Sequence, residues 1–225
     1  HYSMCGRFTI TSPEESVRAI FGYTSPPLNL RPSYNVAPND SVPIVRNSAE
    51  GGGREMVQVR WGLIPFWAKD IKIGFSTINA RVETVETSNT FREAFKRRRC
   101  LVVADGFYEW KKLDAKGKEK QPYRITLKSS EPFGFAGLWE NWGKGADRIT
   151  SCTIITGPPN GLVATIHDRM VVILPPEHWD AWLGGAAGTE VLNPYPAELM
   201  RAYKVDKRVG NVRNNDAALL EELAA

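Results

Sequence analysis

Cys5 is the residue whose position most invites chemistry, because only Met4 separates it from the leading His1-Tyr2-Ser3. Those three residues read as a cloning remnant, so the natural chain is expected to start at Met4. A small second residue favours removal of the methionine, and Cys5 would then carry a free α-amine. A terminal cysteine holds an amine and a thiol on adjacent carbons. The amine, with an ordinary pKa near 8, is partly neutral at pH 7 and forms Schiff bases with carbonyl carbons. The other two cysteines, Cys100 and Cys152, sit in the apolar runs CLVVA and SCTIIT and are expected to be buried structural thiols. No CxxC pair occurs, and three histidines are too few for a recognisable ligand set, so neither a metal nor a cofactor is expected.

Taken singly, the other reactive side chains have ordinary readings. Glu109 lies between Tyr108 and Trp110 on a strand-like segment, where a lone acid is usually surface-exposed or paired. His167, in an apolar setting, reads as a satisfied core histidine, and Asn79 as a turn or cap residue. Arg81 and Glu83, two apart, fit one solvated strand face. The Lys96–Arg99 run suits the C-terminal end of a helix equally well.

The elements that must position these residues can be read from pattern. Ser12-Pro13-Glu14-Glu15 has the form of a capping box and predicts a helix to about Phe21; Thr90-Phe91-Arg92-Glu93 predicts another to about Arg98. Residues 24–40, rich in Pro and Asn, read as an extended loop. Strands are predicted at Val42–Arg46, Met56–Trp61, Cys100–Ala104, Phe107–Leu113, Tyr123–Leu127, Phe133–Trp139 and Ile149–Thr156. A short helix is predicted over Pro159–Ile166, another from Pro175 to the glycines at 184 and 185, and a helical turn at Pro196–Arg201. Trp61, Trp110, Trp139, Trp179 and Trp182 read as core. The 225 residues show no linker, no repeat and no βαβ rhythm. The expected fold is therefore a single α+β domain, with a curved, barrel-like mixed or antiparallel sheet flanked by short helices. Residues 5–214 would form it, and 215–225 would be a loosely attached tail. No apolar run is long enough to span a bilayer and no segment resembles a signal peptide, so a cytoplasmic protein with no membrane partner is expected. The net charge of +4 is compatible with one local basic groove.

Seven segments in order carry a resemblance. They are Cys5-Gly6-Arg7-Phe8, Arg31–Pro38 (RPSYNVAP), Trp61–Trp67 (WGLIPFW), Asn79–Thr84 (NARVET), Arg99–Trp110 (RCLVVADGFYEW), Phe135–Trp139 (FAGLW), and Thr153–Thr156 leading to Ile166-His167-Asp168-Arg169-Met170. Together they resemble the SRAP (SOS response-associated peptidase) family, over roughly Cys5 to Asn211. Val103 and Val171 stand where the family usually has proline, which puts local backbone geometry in question rather than chemistry.

The resemblance implies covalent capture of abasic sites in single-stranded DNA during the damage response, with the Cys5 amine and thiol closing a thiazolidine ring on the sugar aldehyde. It implies that Glu109 is the acid/base group and His167 a second proton-transfer group; imidazole as a side-chain type exchanges protons near neutral pH. Asn79 would hold the Cys5 backbone or thiol. Arg7, Arg81 and Arg169 would contact flanking phosphates, and Arg7 and Arg81 would add positive charge near the thiol. Pro38 and Trp67 would wedge or stack against bases, with Arg31 among further phosphate contacts. A monomer, nucleoid-associated when acting on DNA, is expected. Two alternatives remain: a thiol peptidase or autopeptidase using Cys5 with His167 and Asn79 or Glu109, although no oxyanion-hole motif is visible, and a non-covalent module for single-stranded or modified DNA. Lyase-like reversal of the adduct by Glu109 is a further expectation.

Overall fold

The structure, a computed structural model, describes residues 5–224; the expected remnant and Met4 lie outside the described residues. In chain order the elements are β1 (Phe8–Ile10), α1 (Glu14–Phe21), β2 (Ser33–Val36), β3 (Ser41–Asn47), β4 (Arg54–Trp61), β5 (Asn79–Arg81), α2 (Arg92–Arg97), β6 (Arg99–Ala104), β7 (Gly106–Lys112) and β8 (Lys120–Leu127). Then follow β9 (Phe133–Trp142), β10 (Ile149–Gly157), β11 (Met170–Val171), β12 (Ile173–Leu174), α3 (Trp179–Leu183) and β13 (Met200–Lys204).

The apolar run of β6 is buried at every position, as a strand with cover on both faces must be. It pairs with β3 on one side and β9 on the other. β3 continues to β4 and β4 to β10, and β10 returns to β9 through a ladder from Ile149↔Trp142 to Ile154↔Gly137. These pairings close β10-β4-β3-β6-β9 into a five-stranded barrel. The β4–β10 pairing is parallel and the rest antiparallel, so the expected mixed, barrel-like α+β domain is what forms. Closure brings backbones close at Gly137, where a Cβ would stand 2.9 Å from Cys100 Sγ and 3.1 Å from Thr153 O; only glycine fits there.

A second, antiparallel sheet runs β13-β8-β7-β1-β2. Phe8 of β1 joins it to the barrel, with its ring 5.0 Å from Trp61 and 5.6 Å from Phe135. Burying such a ring stabilises the fold by roughly 1.5–3 kcal/mol. The closing sheet therefore fixes the chain only a few residues after Cys5.

Several expectations need correction. α1 starts at Glu14, one residue after the Pro13 expected at its first helical position, and Ser12 does not cap it: the Ser12 N–H and hydroxyl both donate to Asp105 Oδ2, at 2.8 and 2.9 Å. Asp105 also accepts from Thr9 and Thr11, so a buried carboxylate that needs several donors outcompetes the helix end. Thr90 likewise makes no side-chain cap on α2. The loop at 24–40 contains β2, and the Pro196–Arg201 turn is a 3-10 turn, Ala197–Leu199, leading into β13. The predicted helix at 159–166 shrinks to a 3-10 turn at Val163–Thr165. The tail is not loose: Leu219 is fully buried, and Leu223 N donates to Lys204 O at 2.9 Å.

Candidate functional site

The antiparallel pairing of Phe8 with Phe107 lays the residues before Phe8 alongside those after Phe107, and Tyr108 N donates to Arg7 O at 3.1 Å. Cys5 is thereby carried to Glu109. Cys5 is only 4% exposed and holds a left-handed φ of 56°, an uncommon conformation for a residue with a Cβ. Glu109 is buried on β7, opposite Tyr123 of β8. The Cys5 thiol and Cys5 backbone N–H both hydrogen-bond the Glu109 carboxylate.

His167 closes the ring of groups. Its N–H bonds Val163 O at 2.8 Å after the 3-10 turn, which aims the imidazole back at β7. His167 Nδ1 lies 3.9 Å from Glu109 Oε2 and 3.4 Å from Asp168 Oδ1. Nδ1 lies 3.1 Å from the Arg169 backbone nitrogen and 3.2 Å from Arg169 O, so it accepts from the one or donates to the other according to the ring's tautomer.

Burial sets the electrostatics. It pushes Glu109 up to about 6, against the opposing pull of His167 and of the Cys5 hydrogen bonds, with Asp168 adding to the rise. Burial, reinforced by the Glu109 charge and hydrogen bond, pushes the Cys5 thiol well above its ordinary value; Arg169 and the Val171 backbone work the other way. The thiol is thus held neutral beside an acid poised to exchange protons near neutrality.

These groups line one cleft of about 570 Å³. Of the predicted residues, Cys5, Arg7, Pro38, Glu109 and His167 border it. Arg7 donates to Val209 O at 2.6 Å, Gly210 O at 3.0 Å and Asn35 Oδ1 at 3.1 Å, so it ties the chain start to the 209–214 segment as well as facing the cleft. Arg169 is not free for phosphate: it is buried and grips Glu83 in a bidentate pair at 2.6 and 2.8 Å. That pair lowers Glu83 to about 2.

Asn79 is held elsewhere, on the parallel β5–β10 edge, where its amide donates to Ile78 O at 3.2 Å and Ile154 O at 3.4 Å. Arg31, Arg81 and Trp67 are exposed and do not border the cleft; Trp67 is 50% exposed beside Phe66. Of the Lys96–Arg99 run, Arg99 is buried between Phe95 and Trp182, donating to Phe95 O and Ala187 O, and Arg98 pairs with Glu140.

The residues that pattern reading missed are Trp110, Lys112, Lys120 and Asp168, which also border the cleft. Trp110 is half-buried rather than core, with the Arg7 guanidinium 5.7 Å above its ring. Its motif position next to Glu109 was the available signal, and strand alternation then turns it the other way from the buried acid. Among the described residues, no cluster of His, Cys, Asp and Glu is disposed to hold a metal ion, and no helix is long and apolar enough to cross a membrane.

Residues 4–212 match the family model described as SOS response associated peptidase (SRAP). The chain is 44% identical over 227 residues to the abasic site processing protein YoqW of Bacillus subtilis, covering 97% of this chain and 99% of that one. The abasic site processing protein YoaM of the same organism is 43% identical, with 97% and 98% covered. A crystal structure of a protein from Bacteroides thetaiotaomicron superposes with a TM-score of 0.85 at 26% identity, covering 98% of this chain and all of that one.

Proposed function

The chain belongs to the SOS response associated peptidase (SRAP) family, and from the geometry of its cleft we propose that it captures abasic sites in single-stranded DNA covalently through Cys5. The observation that carries the reading is the convergence of Cys5, Glu109 and His167 in one cleft, with the Cys5 thiol and N–H both on the Glu109 carboxylate. The relatives' name, abasic site processing protein, supports the substrate class.

The chemistry requires Cys5 to be the first residue of the processed chain. An abasic deoxyribose opens from hemiacetal to aldehyde when its ring oxygen gains a proton and its anomeric hydroxyl loses one. The Cys5 amine adds to the aldehyde carbon, and the carbinolamine loses one water to leave a Schiff base. The thiol then adds to the same carbon while its proton leaves for a base and the imine nitrogen takes one up, closing a thiazolidine. Glu109, raised to about 6, can both donate to the ring oxygen and accept from the thiol. His167, within 4 Å of Glu109, relays protons to the leaving water. Burial of Cys5 keeps bulk water from the imine.

A thiol peptidase has less support here. Acyl transfer needs a thiolate, and burial beside Glu109 holds this thiol neutral.

The test uses protein with Cys5 as residue one and a single-stranded oligonucleotide bearing one abasic site. Intact mass should equal protein plus oligonucleotide minus one water, and the adduct should survive heat and denaturant. Cys5→Ala should abolish it; a stable adduct of that mass from Cys5→Ala would overturn the reading.

A further inference from the structure

The cleft continues past Trp110. A second groove, of about 650 Å³, shares Trp110, Lys112 and Lys120 with it and runs over the β7–β8 hairpin towards Lys207. Five lysines line this groove, at 112, 116, 118, 120 and 207, against one carboxylate, Glu119. Glu119 already faces Lys207 at 3.6 Å in an exposed pair, and such pairs contribute little.

The turn that presents these lysines is built rather than loose. The Asp114 carboxylate accepts the Lys118 and Glu119 N–H groups at 2.8 and 3.1 Å. Gly117 takes a φ of 67°, with the Lys112 stem 3.3 Å from where its Cβ would lie. The charges are therefore held along one wall, and Trp110 forms part of both the groove and the cleft.

We propose that this groove is a phosphate track for the DNA strand leaving the Cys5 cleft, engaging nucleotides beyond the reacting sugar. The inference rests on the DNA reading above, and its test separates the two. Binding is measured by anisotropy with a tetrahydrofuran abasic analogue, which has no aldehyde and cannot crosslink. The site is placed centrally in oligonucleotides of about four or about sixteen nucleotides, the span of single-strand sites on compact domains. Lys116→Ala/Lys118→Ala/Lys207→Ala should lower the slope of log K against log salt by about 2 on the long strand, roughly 0.7 for each lost phosphate contact. Affinity for the long strand at low salt should fall about tenfold, while the short strand binds as before. The matching Lys→Arg variant should retain the wild-type slope.

An unchanged slope on the long strand would assign the groove to some other polyanion and overturn the track. An equal fall on both lengths would reduce it to a general field and overturn it too. Failure of the wild-type protein to form an adduct with the aldehyde-bearing strand would count against the capture chemistry alone, because the slopes are read without it.

Discussion

Arg169 holds Glu83 through two parallel hydrogen bonds, at 2.6 and 2.8 Å, while its own backbone hydrogen-bonds His167 Nδ1. One residue thus anchors the imidazole to β10 at Thr156, whose carbonyl accepts a third guanidinium bond at 3.1 Å. Arg169 is buried and Glu83 is partly exposed. Glu83→Gln should leave the guanidinium poorly paired and cost about 1–2 kcal/mol, a figure discounted for the solvent that reaches the carboxylate. Glu83 is lowered to about 2, so this contribution is present above the ordinary carboxylate range near 4.5 and is lost as pH falls towards 2. Urea midpoints at pH 7 and pH 3 should differ more for wild type than for Glu83→Gln. Adduct formation at pH 7 should slow several-fold as His167 loosens; an unchanged rate would detach the pair from the chemistry.

Glu109 predicts the opposite sign. Its folded-state pKa is raised from 4.5 to about 6 by burial. The stability it contributes is complete below 4.5 and is lost as pH rises through 6, about 2 kcal/mol in all. Glu109→Gln removes that dependence. In chains retaining residues 1–4, the variant's urea midpoint should therefore gain on the parent between pH 4.5 and 7. In the processed protein the same change should slow adduct formation by about a hundredfold and erase an inflection near pH 6 in the rate profile. Retention of that inflection by the variant would move the acid/base role to another group.

Much of the barrel was legible because its strands are apolar runs: β6 and β10 bury nearly every position, and that burial is written in the residue types. The three-residue β1 and the strand β2 were not, since Ser33–Val36 lies among prolines and asparagines and pairs only because Phe8 reaches it. The capping signals misled for a physical reason: a cap is a local preference, and Asp105, distant in sequence, takes Ser12 instead. The same division runs through the site. Cys5, Glu109 and His167 stand in recognisable segments, whereas Lys112 and Lys120 reach the cleft only through the register of β7 on β8. Asn79 and Arg169 share those segments, yet hydrogen bonds and ion pairing direct their side chains elsewhere.

Asn35 is a further residue whose role emerges from the folded chain. It is buried, accepts from Arg7 at 3.1 Å, and donates to the carbonyls of Val209, Asn211 and Asn214 at 3.1, 3.2 and 2.8 Å. One side chain therefore fixes both Arg7 and the loop whose Gly210 borders the cleft. Asn35→Ala should cost about 2 kcal/mol by stranding these buried groups. It should also weaken binding of the abasic analogue strand more than it slows adduct formation at saturating strand. Thermal unfolding and anisotropy would read the two effects separately; a variant as stable as wild type would contradict the assignment.

The C-terminal segment makes the last prediction. Leu219 is fully buried in a small cluster with Tyr108, Tyr203, Val205 and Val209. Tyr203 Oη donates to Leu220 O at 2.9 Å, and the Asn215 side chain accepts Tyr34 N at 2.7 Å. Tyr108 is the β7 neighbour of Glu109, so this cluster backs the strand that carries the acid. Ending the chain after Asn214 should uncover Tyr108 and Val209 and cost about 3 kcal/mol, one buried leucine plus the stranded hydroxyl. Leu219→Ala alone should cost about 2–3 kcal/mol. Chemical denaturation should give a lower midpoint for both, with the truncation the more severe. A truncated chain as stable as the full one would mean that residues 215–224 contribute nothing to the domain they cover.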